Sequence, residues 1–553
     1  RYKLPALVDF VASIPLTGSG KVAKAQIKAA DAALAKPTTT TSKPTTSAKP
    51  PASPAAPAPA PAPALVPPTD VDASLRNSLW HVRWAAEPAG GGSGAAAAAA
   101  GKRKWLLFAP GMSSLTAAGE EEEDAVLCNE LKRLLEQGGG GATVSMLVGG
   151  GSPLETDACE AELRAVQPDG IVLLCPLQLS SSGDGGDGGD GSVSEGQAAV
   201  ETTMRSAFAV TQAVARHHSA TNGGCELHIL TRGAHAVDGS DPPPRVDHTP
   251  VWGWARALAR EVPKVTLRLL DLCPKAPAAY GARQAMAHLR RGAASTAQEA
   301  AVRGQKTLLP SLEAWRPSAT PTTTPATSSG ASASGSSSGG GGGGGFDSGK
   351  TYVLSGALGG VGLHVLRGML QRGARRCILL TRSQRTADGR ASDLDELRAA
   401  YAGCRIAVRV CDVGDRRAVR AVLLETVAGH SSASGGGSWP PCDGILHLAG
   451  ALDDGSVTQL DWPRCAKVLG AKVDGALHLH ALSVELQLPL RHFVLFSSVY
   501  ALLGYAQLTH YAAANFALDG LAAHRRARGL PALTVNWGLW KDPQSMAPQS
   551  AGF

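Results

Sequence analysis

A hydroxyl, a phenol and a carboxamide near the end of this chain have a spacing that suits the reduction of a carbonyl group. Tyr511 precedes Asn515 by about one helical turn, so both side chains would lie on the same face of a helix. Ser498 ends the apolar run 493–498, a predicted strand, and could reach the same point from the edge of a sheet. Two hydrogen-bond donors would then meet the oxyanion that develops on a ketone, and one could deliver a proton. The alternative is an ordinary buried helix with a hydrogen-bonded tyrosine.

A glycine-rich turn earlier in the chain predicts a dinucleotide site. A strand is predicted at 350–354 and a helix at 363–372, and the turn between them holds four glycines: Gly356, Gly359, Gly360 and Gly362. Glycines let the backbone turn tightly and approach a pyrophosphate, which the helix N-terminus then stabilises. Such a motif is weak support by itself, but here the required strand–turn–helix context is present.

The second predicted strand, 377–381, indicates which nicotinamide cofactor would bind. It ends at Arg382, with Arg385 close by and no acidic residue before Asp388. An NAD site usually has Asp or Glu near this position to accept from the ribose hydroxyls. A guanidinium instead suits a 2′-phosphate by charge and by its forked geometry. The residues therefore predict NADPH, with a solvated arginine at a strand end as the alternative.

The stretch 351–540 resembles the catalytic half of a ketoreductase domain from a modular polyketide synthase. Such domains belong to the short-chain dehydrogenase/reductase superfamily, and animal-type fatty acid synthases carry a similar one. The matching runs are 351–362, 380–383, 411–413, 447–450, 452–455, 471–476, 496–498, 511–515 and 536–540. The resemblance implies that Asp412 contacts the adenine and that Ala449 and Gly450 line the cofactor channel.

One departure from the wider superfamily identifies the branch. Most short-chain reductases have Lys four residues after the catalytic Tyr, where this chain has Asn515. A free tyrosine has a pKa of about 10, so a nearby cation helps the phenol to give up its proton. Polyketide ketoreductases exchange the positions of Asn and Lys, and Lys472 lies in the matching Lys-Val-x-Gly-Ala motif. The resemblance implies a catalytic set of Tyr511, Ser498, Lys472 and Asn515; the alternative for Lys472 alone is a surface lysine.

The resemblance also carries a stereochemical expectation. In this family a Leu-Asp-Asp run, here Leu452, Asp453 and Asp454, accompanies approach of the substrate from one side of the cleft, the B-type. A Trp eight residues before the catalytic Tyr accompanies the other side, and this chain has Leu503 there. Ala506 stands where α-epimerising members tend to carry Pro. These residues imply reduction of an unbranched chain to the D-β-hydroxy product, unless the two aspartates are only solvated loop acids.

Upstream, residues 75–316 predict a second alternation of strands and helices. Strands are predicted at 79–84, 104–108, 170–174, 226–231 and 266–272, and a helix at 251–261. Such alternation favours a parallel sheet covered by helices. The first turn has no glycine fingerprint, and Pro110 removes a backbone donor there. The fold class is therefore predicted as α/β, with two Rossmann-like halves: a cofactor-free structural subdomain and, at 350–553, a catalytic NADPH-binding subdomain.

The remaining segments are predicted to be a fragment and two disordered linkers. Residues 1–35 resemble the last motif of the adenylate-forming acyl ligases, with Lys21 at the position that contacts carboxylate and phosphate, although the match could be fortuitous. The ATP-binding core of those ligases is missing from this sequence, so adenylation is not expected. Residues 36–74 are rich in Pro, Ala and Thr and 317–349 in Ser and Gly, which predicts an extended and a flexible linker. A Gly/Asp/Ser insertion at 181–195 is placed in a loop.

Composition excludes several other classes of function. The net charge of +7 comes from scattered arginines, and with 5% aromatic residues nucleic-acid binding is not expected. The 10 cysteines include no Cys-x-x-Cys pair, which favours reduced intracellular thiols over disulfides and predicts no metal site. No run of 18 apolar residues exists, so no membrane span is expected. The chain begins with Arg, so we expect the true N-terminus to be absent and the compartment to be the cytoplasm or a plastid.

These observations predict an NADPH-dependent β-ketoacyl reductase. Its substrate would be a β-ketoacyl thioester on the phosphopantetheine arm of an acyl carrier protein, and other synthase domains would share its polypeptide. The ligase-like N-terminal segment favours a polyketide over an animal-type fatty acid synthase. Two alternatives stay open: a catalytically silent ketoreductase that serves as scaffold, and a fragment of an acyl-activating ligase.

Overall fold

The computed structural model describes residues 80–87, 103–110, 123–137, 142–150, 152–176, 191–221, 224–237, 239–291, 298–314, 345–382, 390–427 and 439–538. The ligase-like segment 1–35 with Lys21, the predicted linker 36–74, the predicted linker as far as residue 344, and Arg385 lie outside the described residues. The described residues within 81–313 and 324–553 belong to one compact unit.

An 8-stranded sheet forms the first half of this unit. Its strands are β1 (Trp80–Ala86), β2 (Lys104–Ala109), β3 (Thr143–Val148), β4 (Gly170–Leu174), β5 (Cys225–Arg232), β6 (Val265–Leu272), β7 (Glu299–Arg303) and β8 (Lys306–Ala314). They lie in the order β1-β8-β7-β6-β5-β4-β2-β3. Pairing is parallel from β3 through to β7, and β7 pairs antiparallel with β8.

Five helices are described in this half. They are α1 (Glu123–Gln137), α2 (Thr156–Val166), α3 (Gly191–Thr221), α4 (Thr249–Glu261) and α5 (Ala278–Arg291). Helix α4 matches the helix predicted at 251–261. Helix α3 begins inside the Gly/Asp/Ser insertion, so the loop prediction is wrong for residues 191–195.

The second half contains a 6-stranded sheet whose strands are all parallel. Its strands are β9 (Thr351–Ser355), β10 (Arg376–Thr381), β11 (Arg405–Val410), β12 (Cys442–His447), β13 (His492–Ser498) and β14 (Leu533–Trp537). Its helices are α6 (Gly360–Gln371), α7 (Arg390–Ala400), α8 (Arg416–Leu424), α9 (Trp462–Leu469), α10 (Gly475–Glu485), α11 (Tyr500–Leu503) and α12 (Thr509–Ala527). A π-helix, Gly470–Asp474, joins α9 to α10.

The strand order of this second sheet confirms the predicted Rossmann-like fold. The order is β11-β10-β9-β12-β13-β14. The chain therefore adds β10 and β11 on one side of β9 and then adds β12, β13 and β14 on its other side. In a sheet wound in this way, ligands bind beyond the carboxyl ends of the strands at the point where the direction reverses. That point lies between β9 and β12.

In the first sheet the chain likewise adds β3 on one side of β2 and then β4 on its other side, so the direction reverses between β2 and β4. Only β3 lies beyond β2 among the described strands, whereas two strands lie beyond β9 in the second sheet. The turn after β2 begins with Pro110, and a β-carbon on Gly149 would lie 2.6 Å from the carbonyl oxygen of Pro110. The chain's own backbone therefore fills space beside this turn.

The two halves share a hydrophobic core. Trp252 and Trp254 of α4 are fully buried in the same cluster as Phe516 of α12, and Phe208 of α3 packs edge-on against Trp254. Residues 345–349 belong to the stretch assigned to the second linker, yet Phe346 packs against Tyr352 at the start of the second sheet. Hydrophobic packing thus joins the helix that carries the predicted catalytic tyrosine to the first half.

Among the described helices, none has both the length and the apolar character needed to cross a membrane.

Candidate active site

Two glycines in the turn after β9 leave no room for a side chain at their positions. Gly356 has a φ of +68°, and a β-carbon there would lie 2.6 Å from the backbone nitrogen of Ala449. A β-carbon at Gly362 would overlap a carbonyl oxygen of the same turn. Gly359 caps the N-terminus of α6, which begins at Gly360. A backbone turn this close to a helix N-terminus fits the pyrophosphate of a dinucleotide.

Arg382 and Asp412 lie at the same edge of the sheet as this turn, because β10 and β11 run parallel beside β9. Both residues are exposed. The Oδ1 atom of Asp412 accepts a hydrogen bond of 2.9 Å from the backbone N–H of Gly414, which orders the loop after β11. Both residues thus lie beyond the carboxyl ends of neighbouring parallel strands, and their contacts with the adenosine end of a cofactor stay a prediction.

Ala449 and Gly450 follow β12, on the other side of the point where the sheet reverses. A β-carbon on Gly450 would lie 2.9 Å from Cε of Lys472, so this glycine makes room for the lysine side chain. The backbone N–H of Ala449 donates to Oγ of Ser355, at the end of β9, over 3.4 Å. The predicted cofactor channel and the predicted catalytic lysine therefore touch each other.

Lys472 is buried in the π-helix, and its ammonium group has few polar neighbours. Its Nζ atom donates to the backbone carbonyl of Phe496 over 2.9 Å. Burial lowers the pKa of Lys472 to about 8, and the nearby carboxylate of Asp519 opposes that change. Single π-turns within helices are frequent at functional sites. A lysine of this kind can be a cation at neutral pH and lose its proton a little above it.

His447 holds the backbone of this lysine, a role that the sequence analysis missed. Its Nε2 atom lies 2.9 Å from the Lys472 carbonyl oxygen, and its Nδ1 atom lies 2.7 Å from Oγ of Ser355. A carbonyl only accepts, so Nε2 carries the hydrogen and Nδ1 accepts from the serine hydroxyl. Burial lowers the pKa of His447 to about 3, so the ring is neutral. The imidazole thereby links the end of β9 to the π-helix.

Tyr511 and Asn515 lie one turn apart on α12, as the spacing predicted. The Nδ2 atom of Asn515 donates to the carbonyl oxygen of Tyr511 over 2.7 Å, and Nζ of Lys472 lies 5.6 Å from the centre of the tyrosine ring. Burial raises the pKa of Tyr511 above its ordinary value of 10, and the side chains of Asn515 and Ser498 oppose the rise. The phenol therefore keeps its proton at neutral pH, as a proton donor requires.

Ser498 ends β13 and is buried beside this tyrosine. Its Oγ atom accepts from the backbone N–H of Tyr500 over 3.3 Å, and its carbonyl oxygen accepts from the side chain of Asn536 over 3.2 Å. The serine hydroxyl hydrogen is left to donate to another group. The Oδ1 atom of Asn515 is buried and has no hydrogen-bond partner among the described residues. The hydroxyl of Ser498 and the amide of Asn515 thus both lie close enough to the phenol to lower its pKa.

Asp519 is a second residue that the sequence analysis missed. It lies one turn beyond Asn515 and two beyond Tyr511, so the regular spacing of polar residues along α12 could have identified it. Its Oδ2 atom accepts from Nδ2 of Asn536 over 2.8 Å. Burial raises its pKa to about 6, so the carboxyl is mostly ionised at neutral pH. In that state its negative charge helps Lys472 to keep a proton.

Asp453 is tied to the protein and is not a solvated loop acid. Its carboxylate accepts from Nε of Arg464 over 2.8 Å and pairs with Lys467 over 3.3 Å. The Arg464 guanidinium lowers the pKa of Asp453 below its ordinary value, with help from Lys467. The carbonyl oxygen of Asp453 lies 2.6 Å from Nε2 of His510, the residue before the predicted catalytic tyrosine. The Leu-Asp-Asp loop is therefore fastened to the start of α12.

Leu452 is half-buried and Asp454 is exposed on this loop. Tyr500, another residue that the sequence analysis did not select, interacts electrostatically with both Asp454 and Tyr511. Burial raises the pKa of Tyr500, and Tyr505 and Asp454 raise it further, while Tyr500 in turn raises the pKa of Tyr511. Tyr500 thus interacts electrostatically with the predicted substrate-orienting loop and with the predicted catalytic tyrosine.

Two family models match this chain. Residues 350–542 match the KR domain, and residues 82–312 match the Rossmann fold domain of the polyketide synthase extender module SpnB. The first half of the described unit therefore corresponds to one known domain and the second half to another.

Curated relatives and a solved structure agree with these matches. The phenolphthiocerol synthesis polyketide synthase type I Pks15/1 of Mycobacterium marinum is 42% identical over 36% of this chain and 9% of its own length. The polyketide synthase GfsB of Streptomyces halstedii is 34% identical over 57% of this chain and 5% of its own length. The structure of the first ketoreductase of the tylosin PKS is 26% identical with a TM-score of 0.60, covering 86% of this chain and 84% of that one.

The fold and the matches define an oxidoreductase class with a Rossmann fold, the short-chain dehydrogenase/reductase superfamily. Within it, this chain belongs to the ketoreductase domains of modular polyketide synthases. The chain spans less than a tenth of the length of the two curated relatives, at 9% and 5%.

Proposed function

We propose that this domain reduces a β-ketoacyl thioester to a β-hydroxyacyl thioester with NADPH. Tyr511 would be the proton donor, Ser498 would hydrogen-bond the carbonyl oxygen, and Lys472 and Asn515 would support the tyrosine. The observation that carries this proposal is the convergence of these side chains beside a turn where only glycine fits. A half-buried, protonated phenol next to a hydroxyl donor is the arrangement that a developing oxyanion needs.

The residues around the reversal point of the second sheet fit a dinucleotide. Gly356, Gly359, Gly360 and Gly362 would lie against the pyrophosphate, and Ala449 and Gly450 would line the path toward Lys472. Arg382, at the end of β10 where the sequence has no acidic residue before Asp388, suits a 2′-phosphate. When bound there, NADPH would supply the hydride that the β-carbon of the substrate accepts.

The contributions of the protein side chains follow from their surroundings. The hydroxyl of Ser498 donates to the substrate oxygen, since its own acceptor role is taken by Tyr500. The phenol of Tyr511 donates its proton to the same oxygen as negative charge develops there. Lys472, as a cation, stabilises the phenolate that is left behind, and Asp519 helps to keep that cation charged. Asn515 donates to the backbone carbonyl of Tyr511. Its Oδ1 atom accepts a hydrogen bond from the group that reprotonates the Tyr511 phenolate.

The substrate and partners that we propose come from the family. The thioester would arrive on the phosphopantetheine arm of an acyl carrier protein, and other synthase domains would belong to the same polypeptide. The Leu452–Asp454 loop, which is anchored beside Tyr511, and Leu503 at the position of the opposing Trp support B-type reduction. The product would then be the D-β-hydroxyacyl thioester.

The test is the Tyr511→Phe variant, which removes only the phenolic hydroxyl. We expect NADPH-dependent reduction of a simple β-ketoacyl thioester to fall by about 10²–10⁴-fold, the usual contribution of a general acid. NADPH binding, followed by the fluorescence of the cofactor, should stay close to that of the wild type. Activity within tenfold of the wild type would contradict the assignment.

The same measurements separate this proposal from its alternatives. A silent scaffold would reduce no thioester even as the wild type, and its fluorescence titration would show whether the cofactor still binds. A fragment of an acyl-activating ligase would instead catalyse ATP–pyrophosphate exchange, and we expect none.

A further inference from the structure

Glu261, the last residue of α4 in the first half, holds two loops of the second half with one carboxylate. Its Oε1 atom accepts from the backbone N–H of Gln507 over 2.7 Å. Its Oε2 atom accepts from the backbone N–H of Val457 over 2.8 Å. Both carboxylate oxygens are thus occupied by backbone donors from segments that are distant in the sequence.

The two segments that Glu261 joins adjoin the Leu-Asp-Asp run and the start of α12, which carries the proposed catalytic tyrosine. Val457 follows the Leu-Asp-Asp run, and Gln507 lies four residues before Tyr511. The segments also bind each other, because the N–H of Gly455 donates to the carbonyl oxygen of Gln507 over 3.0 Å. Glu261 therefore stands at the junction of the substrate-orienting loop and the segment that leads into α12.

The backbone at Gln507 shows that this junction is constrained. Gln507 has a φ of +68°, in the left-handed region that residues other than glycine seldom adopt. Such a conformation persists only where its surroundings fix it. Here the peptide groups of Gln507 are held on both sides, the N–H by Glu261 and the carbonyl by Gly455.

A second residue of the first half holds the same loop from its other side. The Nε2 atom of Gln212, in α3, donates to the carbonyl oxygens of Val457 and Leu460, each over 2.8 Å. Val457 is therefore bound through its N–H by α4 and through its carbonyl by α3. The first half, which offers no glycine turn for a nucleotide, reaches the substrate side of the second half through these contacts.

We propose that Glu261 is a positioning residue that determines specificity: it fixes both walls of the substrate cleft and so sets which face of the ketone is reduced. This inference rests on the proposed reductase function. Loss of the junction would let the Leu-Asp-Asp loop and the segment before Tyr511 move independently. The acyl chain would then be held less tightly and in more than one orientation, while the cofactor turn after β9 would be unaffected.

The variant that tests this is Glu261→Gln in the whole chain, which keeps the shape of the side chain. An amide has one acceptor oxygen and one donor group, so it cannot accept from both N–H groups and turns a donor toward one of them. The matched control is Glu136→Gln, since Glu136 is an exposed glutamate in α1 that forms a 4.0 Å ion pair with Lys132 on the same helix.

The expected result is a change in substrate handling without a change in cofactor binding. Loss of a hydrogen bond to a charged group should raise KM for a β-ketoacyl thioester by about tenfold, with a smaller change in kcat. The ratio of the two alcohol enantiomers, measured by chiral chromatography, should fall several-fold. The dissociation constant for NADPH should stay within about twofold of the wild type, as should every value for Glu136→Gln.

Hydrogen exchange gives a readout that does not depend on activity. Amide exchange in Glu261→Gln should become faster at residues 455–458 and 504–508 and remain unchanged in α6 and β9. Glu261→Asp, which keeps both acceptor oxygens but is shorter, should show the same changes to a smaller extent and serves if the glutamine variant does not fold. An unchanged KM and enantiomer ratio, or a lower melting temperature alone, would overturn the proposal. A wild type without reductase activity would overturn the proposed function instead, and the exchange pattern would still test the junction.

Discussion

Gly253 of α4 lies against the backbone of Ala512 in α12, so closely that a β-carbon on the glycine would overlap the Ala512 carbonyl oxygen. Two further glycines repeat this fit: a β-carbon on Gly520 would overlap Thr249, and one on Gly504 would overlap the carbonyl of Arg256. Because Ala512 directly follows Tyr511, the helix from the first half sets the position of the proposed catalytic helix.

Gly253→Ala should therefore impair both stability and catalysis. The added methyl group meets rigid backbone, so α4 and α12 must separate, which costs about 1–3 kcal/mol or more. Displacement of Tyr511 should lower kcat by about tenfold to a hundredfold, since a shift of about 1 Å at a catalytic group can cost that much. Thermal unfolding and initial rates measure the two effects.

Gly196→Ala is the matched control for this prediction. Gly196 lies in α3 with no atom within 4 Å of the added β-carbon. Alanine there should be neutral or stabilise the helix by up to about 1 kcal/mol. Equal behaviour of the two variants would show that the close approach at Gly253 does not position α12.

Arg382→Ala tests the choice of cofactor. The variant should weaken NADPH binding by at least about tenfold and leave NADH binding nearly unchanged, since only NADPH places a phosphate near the guanidinium. Fluorescence titrations with both nucleotides measure the difference. Equal loss of both would mean that Arg382 only supports the end of β10.

Local sequence patterns were sufficient to predict elements in both halves. The strand predicted at 226–231 occurs as Cys225–Arg232, and the helix predicted at 251–261 occurs as Thr249–Glu261. In both segments apolar residues follow the period of the element that they form. Tyr511 and Asn515 lie on one face of α12 for the same reason.

Features that depend on distant contacts were not predictable in this way. Glu261 binds Gln507 across 246 positions of the chain, and a single glutamate at a helix end gives no local sign of such a contact. The π-helix that contains Lys472 likewise depends on a distant residue, because His447 at the end of β12 hydrogen-bonds to the carbonyl oxygen of Lys472. Helix α3 begins inside a Gly/Asp/Ser run, although those residues have low helix propensity.

The buried ammonium of Lys472 predicts a pH limit on reduction. Burial lowers its pKa to about 8, so the cation is present below that pH and is lost as the pH rises through it. The rate of reduction should be nearly constant below pH 8 and fall above it, whereas the phenol of Tyr511, whose pKa is raised above 10, loses its proton only at higher pH.

Two variants assign this pH limit. Lys472→Met should be slower than the wild type at neutral pH and should lack the fall above pH 8. Asp519→Asn should move the fall to lower pH, because the Asp519 carboxylate raises the pKa of Lys472. Initial rates over a range of pH measure both effects, and a fall that persists in Lys472→Met would have to come from another group.

The stereochemistry of the product tests the arrangement of the Leu-Asp-Asp loop. Asp453 fastens this loop through Arg464 and Lys467 on one side, while its carbonyl oxygen meets His510 beside Tyr511. A loop held in this way should admit the acyl chain from one side, because hydride leaves a fixed face of the nicotinamide and the side of approach decides which carbonyl face it meets. We expect the wild type to give mainly the D-alcohol, as resolved by chiral chromatography.

Asp453→Asn should then lower the proportion of the D-alcohol, since an amide pairs far more weakly with the guanidinium and ammonium groups that hold the loop. Asp395→Asn is the control, because Asp395 is an exposed residue of α7 that pairs with Arg398 on the same helix. That variant should give the same product ratio as the wild type. If the wild type gave mainly the L-alcohol, the loop would not direct the substrate as proposed. If Asp453→Asn kept the wild-type ratio, the ion pairs would stabilise the loop without controlling the side from which the substrate enters.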